Sequence, residues 1–426
     1  MIHEIRVKNL FSFREEQLFS FEASTDKSYD DFYCVEVKPG LKLLKMGVLY
    51  GANASGKTNF LNILDFVREI VLHVPSEKLK GINVQPFLLD EACKAENSEF
   101  SISFYIDGTR FIYELSLNSN FIFSEKLIYY PNSQPALVFE RAFNNKKVVS
   151  KVKFGSTLDL IEKDKIILEG DLIVNTTLLS VYLKKNVNID VLEKVVKWFS
   201  YNLSGKVDAK SELKKQITEK IYNSADQKKL TLELLQKADF NIVDIEVEKH
   251  QSIMKIDKEG KSIYFPDLFL ENFGLDLYDL KFIHKSKKGT SALPYEAQSE
   301  GTKRYFELSG ILSTLLTENN IVYIDELESS LHPDLTDHFI KTFLANSKNS
   351  QLLFTTHNLI LLDSDYIRRD VVWFCEKNEN GATELYSAYD FGLHKNISLF
   401  NAYKTGKLGA KPHLGSIFLE NYGKEK

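Results

Sequence analysis

The feature that most constrains this chain is Gly51-Ala-Asn-Ala-Ser-Gly-Lys-Thr58, a Gly-x-x-x-x-Gly-Lys-Thr run preceded by a short, mostly apolar strand from Lys45 to Tyr50 and followed by helical spacing at Leu61, Leu64, Val67 and Val71. Strand, glycine loop and helix in that order leave few architectures open. The glycines let backbone N–H groups wrap a phosphate, the lysine reaches the β and γ oxygens, and the threonine hydroxyl holds Mg2+. Average residue usage would place such a pattern in a chain of this length only about one time in fifty to a hundred. Gly51, Asn53, Ala54, Ser55, Gly56, Lys57, Thr58 and Asn59 are therefore the expected contacts to a nucleoside triphosphate, with Thr58 also a Mg2+ ligand.

Three later segments point to the same chemistry. Ile321-Val-Tyr-Ile-Asp325-Glu326 is an apolar strand ending in two carboxylates. At a strand edge beside a phosphate loop, Asp325 can hold the Mg2+ shell, and Glu326 can orient or deprotonate the attacking water as general base. Taken alone the pair could equally cap a helix; its place before Ser329-Ser-Leu-His-Pro333 favours the catalytic reading. Gln351-Leu-Leu-Phe-Thr-Thr-His357 ends on a histidine whose imidazole can hydrogen-bond the γ-phosphate or the water. Ser299-Glu-Gly-Thr302 precedes a helix, so Ser299, Gly301 and Thr302 form either an anion site or a simple cap.

Around these motifs, the chain alternates as two strands near Ile2 to Phe21 and again from Phe100 to Phe123, with Asp107-Gly108 as a hairpin turn. Its 426 residues, 43% hydrophobic, suffice for two or three domain-sized units. The expected division is a lobe with the phosphate loop and a β subdomain over 1–170, an inserted helical subdomain over 171–240, and a second half with the remaining motifs over 241–426. Lys210, Lys214, Lys215, Lys220, Lys228 and Lys229 in the insert read as a solvated helix face, with a nucleic-acid contact as the open alternative. Asp363, Asp365, Arg368, Arg369 and Asp370 read as a solvated turn.

The net charge of −5 argues against coating by nucleic acid through bulk positive charge. No apolar run approaches the roughly 18 to 20 residues of a membrane span, and the N-terminus lacks the pattern of a signal peptide, so a cytoplasmic location without membrane contact is expected. Cys34, Cys93 and Cys375 are widely spaced and suggest neither a disulfide framework nor a zinc site.

The order of motifs resembles the ATP-binding-cassette (ABC) ATPases of the SMC, RecF and overcoming-lysogenization (OLD) group. More narrowly, the chain looks like the abortive-infection and RloA-like AAA ATPases of bacterial anti-phage systems. The narrower likeness rests on Tyr50 to Asn59, Leu235-Gln-Lys-Ala-Asp-Phe-Asn-Ile-Val-Asp-Ile245, Ser299-Glu-Gly-Thr-Lys-Arg304, Asp325-Glu-Leu-Glu-Ser-Ser-Leu-His-Pro333 and the tail Tyr403-Lys-Thr-Gly-Lys-Leu-Gly-Ala-Lys-Pro412. It implies an α/β fold, an ABC-type P-loop NTPase head with an antiparallel β subdomain and an inserted helical subdomain. It also implies ATP with Mg2+, hydrolysis to ADP and phosphate, and a head-to-tail homodimer or higher homo-oligomer. In that dimer each ATP lies between the phosphate loop of one subunit and Ser299, Gly301 and Thr302 of the other. The resemblance makes Ser329 to Leu331 the D-loop, with His332 where transporters have aspartate, and makes Ser-Glu-Gly-Thr a degenerate signature in place of Ser-Gly-Gly. Relatives act with a nuclease, fused or separate. About 70 residues follow His357, fewer than the roughly 100 a nuclease domain wants, so a separate effector is expected. A RecF-like DNA-repair ATPase and a nucleotide-switched scaffold without turnover are the alternatives.

Overall fold

The computed structural model describes the chain apart from residues 76, 78–80, 145–148, 157, 159, 209–212, 239, 257–261, 267–274, 395–396, 413–414 and 416–426, and describes only the backbone of the strands within 251–276. Lys210 and Asp239 lie outside the described residues. Two compact units emerge: one comprises Met1–Lys206, Asn320–Glu326 and Gln351–Lys426, the other Val207–Asn319 and Leu327–Ser350.

The first unit opens with β1 (Ile2–Lys8), β2 (Gln17–Ser20), the hairpin β3 (Cys34–Lys38) and β4 (Leu41–Leu44), and β5 (Met46–Tyr50), which runs into the glycine loop. After the helix Lys57–Leu72 come β6 (Ser98–Ile106), β7 (Thr109–Leu117), β8 (Ile122–Tyr130), β9 (Ala136–Asn144) and β10 (Val149–Phe154). The second unit carries β11 (Ile242–Ile256), β12 (Ser262–Pro266), β13 (Leu275–Ser286) and β14 (Gly289–Pro294). The chain returns to the first unit as β15 (Ile321–Ile324), and again as β16 (Gln351–Thr355), β17 (Val372–Lys377) and β18 (Thr383–Ser387).

The first unit's mostly parallel sheet has the order β15-β16-β5-β17-β18. Its first four strands pair in parallel and β18 closes the edge antiparallel. Every residue of β5, β15 and β16 is buried, as the continuous apolar runs of a sheet covered on both faces require. One strand, β16, separates the phosphate-loop strand from the strand bearing the carboxylates. The helix Lys57–Leu72 buries Phe60, Leu61, Leu64, Val67 and Val71, the spacing of one helix face.

The other large sheet is antiparallel throughout, in the order β10-β9-β8-β7-β6-β1-β2. Its β6–β7 hairpin turns at Asp107 (φ 47°) and Gly108 (φ 76°), the paired positive φ values that suit the strand twist. The β subdomain thus extends past the alternation visible at 100–123, because β9 and β10 carry charged and exposed positions that hide their pattern.

The second unit sets the helices Lys214–Asn223, Ala225–Lys237 and Glu300–Thr317 around a core of Ile217, Leu235, Ile245, Phe282, Tyr305 and Phe306, beside a sheet of order β12-β11-β13-β14. Lys214, Lys220 and Lys228 each pair with an acid of the same unit, Glu296, Glu318 and Asp244. The expected α/β P-loop head with an antiparallel β subdomain and an inserted helical part is the fold observed. No described helix is long and apolar enough to cross a membrane.

One expectation fails. Arg368 and Asp370 do not form a solvated turn: they are 2% and 6% exposed. The Arg368 guanidinium donates to both oxygens of Asp370 (3.0 and 2.7 Å) and to Asp30 (2.7 Å), while the Ser24 backbone N–H and hydroxyl donate to Asp370. Partners some 340 residues away neutralise the cluster, which a local reading of charge could not detect.

Candidate nucleotide site

The phosphate loop is held from below by residues distant in sequence. Gly51 (φ 155°) and Gly56 (φ 112°) adopt backbone conformations that favour glycine, and a Cβ on either would collide, at Gly51 with the Cys375 carbonyl and at Gly56 with the hydroxyls of Thr383 and Ser12. Thr383 Oγ1 donates to the Ser55 carbonyl (2.8 Å) and shares a hydrogen bond with Ser12 Oγ (2.8 Å). Asn53, Ala54 and Thr58 are exposed, Asn59 is half-buried, and Ser55, Gly56 and Lys57 are buried. Ala54 adds a third positive φ, 61°. The Lys57 ammonium donates to the carbonyls of Gly51 (2.9 Å) and Ala52 (3.0 Å), poised within the loop. Burial pushes the neighbouring Cys375 thiol up to about 12, keeping it neutral beside Lys57.

The parallel register carries the other groups to the same sheet edge. Thr58 Oγ1 donates to Asp325 Oδ1 at 3.1 Å, and Thr355 Oγ1 donates to the same oxygen at 2.7 Å. Thr355 also accepts from the Glu326 backbone N–H (2.8 Å). That bond fixes Glu326 at φ 50°, a left-handed conformation that a glutamate adopts only where its surroundings impose it. His357 Nε2 then lies 4.0 Å from Glu326 Oε1, with both side chains partly open to solvent. The structure thus brings Thr58, Asp325, Glu326 and His357 together at one sheet edge. A hydroxyl beside a carboxylate is a donor set suited to Mg2+, which favours oxygen ligands and keeps part of its water shell. The glycine cradle, with no room for a Cβ, suits the close approach of a phosphate.

Ser299, Gly301 and Thr302 belong to the other unit. Ser299 caps the helix Glu300–Thr317: its Oγ accepts from the Thr302 N–H (3.1 Å) and lies 2.8 Å from Thr302 Oγ1. A Cβ at Gly301 would sit 3.1 Å from the Ser330 carbonyl, so the signature-like turn and the Ser329-Ser330 turn are close neighbours. Ser330 itself has φ 62°.

Sequence reasoning missed Ser12, Thr355 and Thr383. Thr355 sat in plain view beside Thr356 and His357, but its part as a tie between the Asp325 carboxylate and the Glu326 backbone N–H appears only once β15 and β16 are paired. Ser12 and Thr383 carry no local signal, because their contacts with the loop span long stretches of chain.

No curated protein matches this chain significantly. Among solved structures, it is similar to the SMC head domain from Thermotoga maritima, at 15% identity and a TM-score of 0.40 over 91% of this chain and 98% of that one. It is also similar to an SmcHead bound to the C-winged helix domain of ScpA, at 13% identity and 0.43 over 91% and 97%. A third likeness is to an Smc head domain with an extended coiled coil bound to the C-terminal domain of ScpA derived from Pyrococcus furiosus, at 12% identity and 0.41 over 95% and 98%. The model of the family described as "AAA domain, putative AbiEii toxin, Type IV TA system" matches residues 47–363, a span holding the glycine loop, both carboxylates and the histidine. The chain belongs to that family of AAA-domain P-loop ATPases.

Proposed function

We propose that this protein hydrolyses ATP as a homodimer, and that its nucleotide state controls a separate effector, a nuclease, in defence against phage. The observation that carries the hydrolytic part is the convergence of Thr58, Asp325, Glu326 and His357 around one hydrogen-bonded threonine, Thr355. Asn53 to Asn59 would wrap the phosphates with backbone N–H groups, and the Lys57 ammonium would leave the Gly51 and Ala52 carbonyls for the β and γ oxygens. Thr58 and Asp325 would hold Mg2+, which when bound neutralises charge on the phosphate oxygens. Glu326 takes a proton from the attacking water, and His357 donates a hydrogen bond to the γ-phosphate or the water.

Dimerisation rests on the likeness to ABC-type ATPases, with Ser299, Gly301 and Thr302 of one subunit meeting the γ-phosphate held by the other. The family's description names a "Type IV TA system", which supports a setting in which a second gene product takes part. The ion pairs of Lys214, Lys220 and Lys228 favour this protein-directed reading over direct DNA binding through the helices.

The test is phosphate release by the purified chain together with light scattering. Lys57→Ala should stop release, and Glu326→Gln should stop release while ATP gathers the chain into dimers. Full release by both variants would remove the site assignment. A Glu326→Gln protein that stays monomeric with ATP would remove the dimer. Co-expression with the product of the adjoining gene should yield nuclease activity that depends on Lys57; its absence would remove the effector.

A further inference from the structure

A cavity of about 810 Å3 is lined in part by the phosphate-loop residues Gly51, Ala52, Asn53 and Ser55. Of its lining residues, the proposed hydrolysis uses Gly51, Asn53, Ser55 and His357. The lining also includes Tyr403, Lys411 and Pro412 of the tail motif, and Glu376 and Lys377 at the end of β17.

The tail is anchored there with care. The Tyr403 ring stacks on Phe374 at 5.6 Å and 8°, and its hydroxyl donates to the Ala410 carbonyl (3.0 Å). Tyr386 Oη lies 3.0 Å from the Leu408 carbonyl oxygen and 2.8 Å from Glu376 Oε2. Leu408 and Ala410 are fully buried. Gly409 (φ 62°) and Ala410 (φ 55°) form two consecutive left-handed residues, a turn that an alanine holds only when its surroundings impose it. This turn delivers Lys411 to the lining of the cavity that the loop shares.

The chemistry of the lining selects an anion. Lys377 and Lys411 bring two ammonium groups, while the Glu376 carboxylate is engaged by Tyr386. Each ammonium rests on a backbone carbonyl, Lys377 on Gly381 (2.6 Å) and Lys411 on Lys404 (2.7 Å), and a flexible stem lets either move to a stronger acceptor. A second observation also points to a ligand. Ser55, 2% exposed, lines the cavity, and its hydroxyl has no hydrogen-bond partner, an arrangement that buried polar groups avoid unless something else completes it.

We propose that residues 408–412 form a sensor, within the same chain, for the terminal phosphate of the bound nucleotide, with Lys411 as the contacting residue. This rests on the nucleotide reading of the glycine loop. A triphosphate reaches past the loop toward His357 and draws Lys411 off the Lys404 carbonyl; a diphosphate leaves Lys411 where it is. The tail is thereby coupled to which nucleotide is bound.

The experiment measures affinities of the full chain for ADP and for a non-hydrolysable ATP analogue by calorimetry. Lys411→Ala should weaken the analogue about tenfold and leave ADP within about twofold, the scale of one charge-assisted hydrogen bond. Lys411→Arg should recover most of the loss, and Lys407→Ala, exposed in the same segment, should change neither affinity. Equal losses for both nucleotides, or none, would overturn the sensor while leaving the loop assignment intact. A wild-type chain that binds neither nucleotide would overturn both.

Discussion

Two clusters of charge in the first unit are built on opposite terms. In the antiparallel sheet, Glu125 and Arg141 are both 0% exposed and 3.7 Å apart. Glu125 accepts from the Leu178 N–H (2.7 Å) and the Tyr113 hydroxyl (3.0 Å). Arg141 donates to the Thr176 carbonyl, the Ile173 carbonyl (3.0 Å) and Ser150 Oγ (3.0 Å). Burial pushes the Glu125 carboxyl up and the Arg141 guanidinium down, and their mutual attraction and hydrogen bonds offset that desolvation. At the nucleotide site, by contrast, the Glu326 side chain is 55% exposed and stands 4.0 Å from a half-open histidine. Glu326, the proposed general base, is loosely held and wet, whereas Glu125 is held in the core by an ion pair and two hydrogen bonds. The first cluster secures the stretch 173–178 against the sheet, and Thr177 in turn donates to the Ile70 carbonyl of the phosphate-loop helix (3.2 Å), so structural saturation supports functional looseness.

The largest expected effect breaks the contrast at its loose end. Glu326→Gln should lower turnover about 10³-fold, roughly 4 kcal/mol of barrier, with ATP affinity nearly unchanged; a loss below about tenfold in phosphate release would make Glu326 no more catalytic than its neighbours. At the saturated end, Arg141→Leu should lower unfolding stability by about 3 kcal/mol in urea titration, because it strands Glu125 in the core. The Glu125→Leu/Arg141→Leu pair should be less damaging than Arg141→Leu alone, and additive losses would refute the account of a mutually dependent pair.

Between the two lies Thr355, buried like the first cluster but serving the second. Thr355→Val removes the bond to Asp325 and the acceptor for the Glu326 N–H, and should cost about tenfold in turnover at saturating nucleotide, with Thr355→Ser restoring it. Smallest is Asp30, where the hydrogen bond from Lys42, with help from Arg368, lowers the carboxyl from 3.8 to about 2. The folded-state value lies below the unfolded one, so this contribution is complete above about pH 4 and disappears as pH falls toward 2. Asp30→Asn should therefore cost about 1 kcal/mol at pH 7, discounted for solvent screening, and match the wild-type chain by pH 2. A deficit independent of pH would point to lost packing instead.

Much of the nucleotide site was legible because its groups come in contiguous runs. Glycine spacing, an apolar strand ending in Asp325-Glu326 and another ending at His357 each carry their chemistry within a few residues, and strand edges gather such runs on one side of a parallel sheet. Thr383 and Ser12 under the loop were invisible, since a hydrogen bond across more than 300 residues leaves no local period. Arg368 and Asp370 misled for the same reason: a charged run looks solvated until Asp30 and Ser24 fold onto it.

By itself, then, the amino-acid order determined the α/β P-loop head and the strands at Ile321–Ile324 and Gln351–Thr355 that end in Asp325-Glu326 and His357, because periodicity and backbone-permissive glycines act over short range. Tertiary structure alone decided the strand order that puts β16 between the loop and the carboxylates, the tie through Thr355, the saturated Glu125–Arg141 pair and the anchoring of the tail beside the loop. Those depend on pairings between distant segments, whose energies come from packing and desolvation rather than from any local preference of the chain.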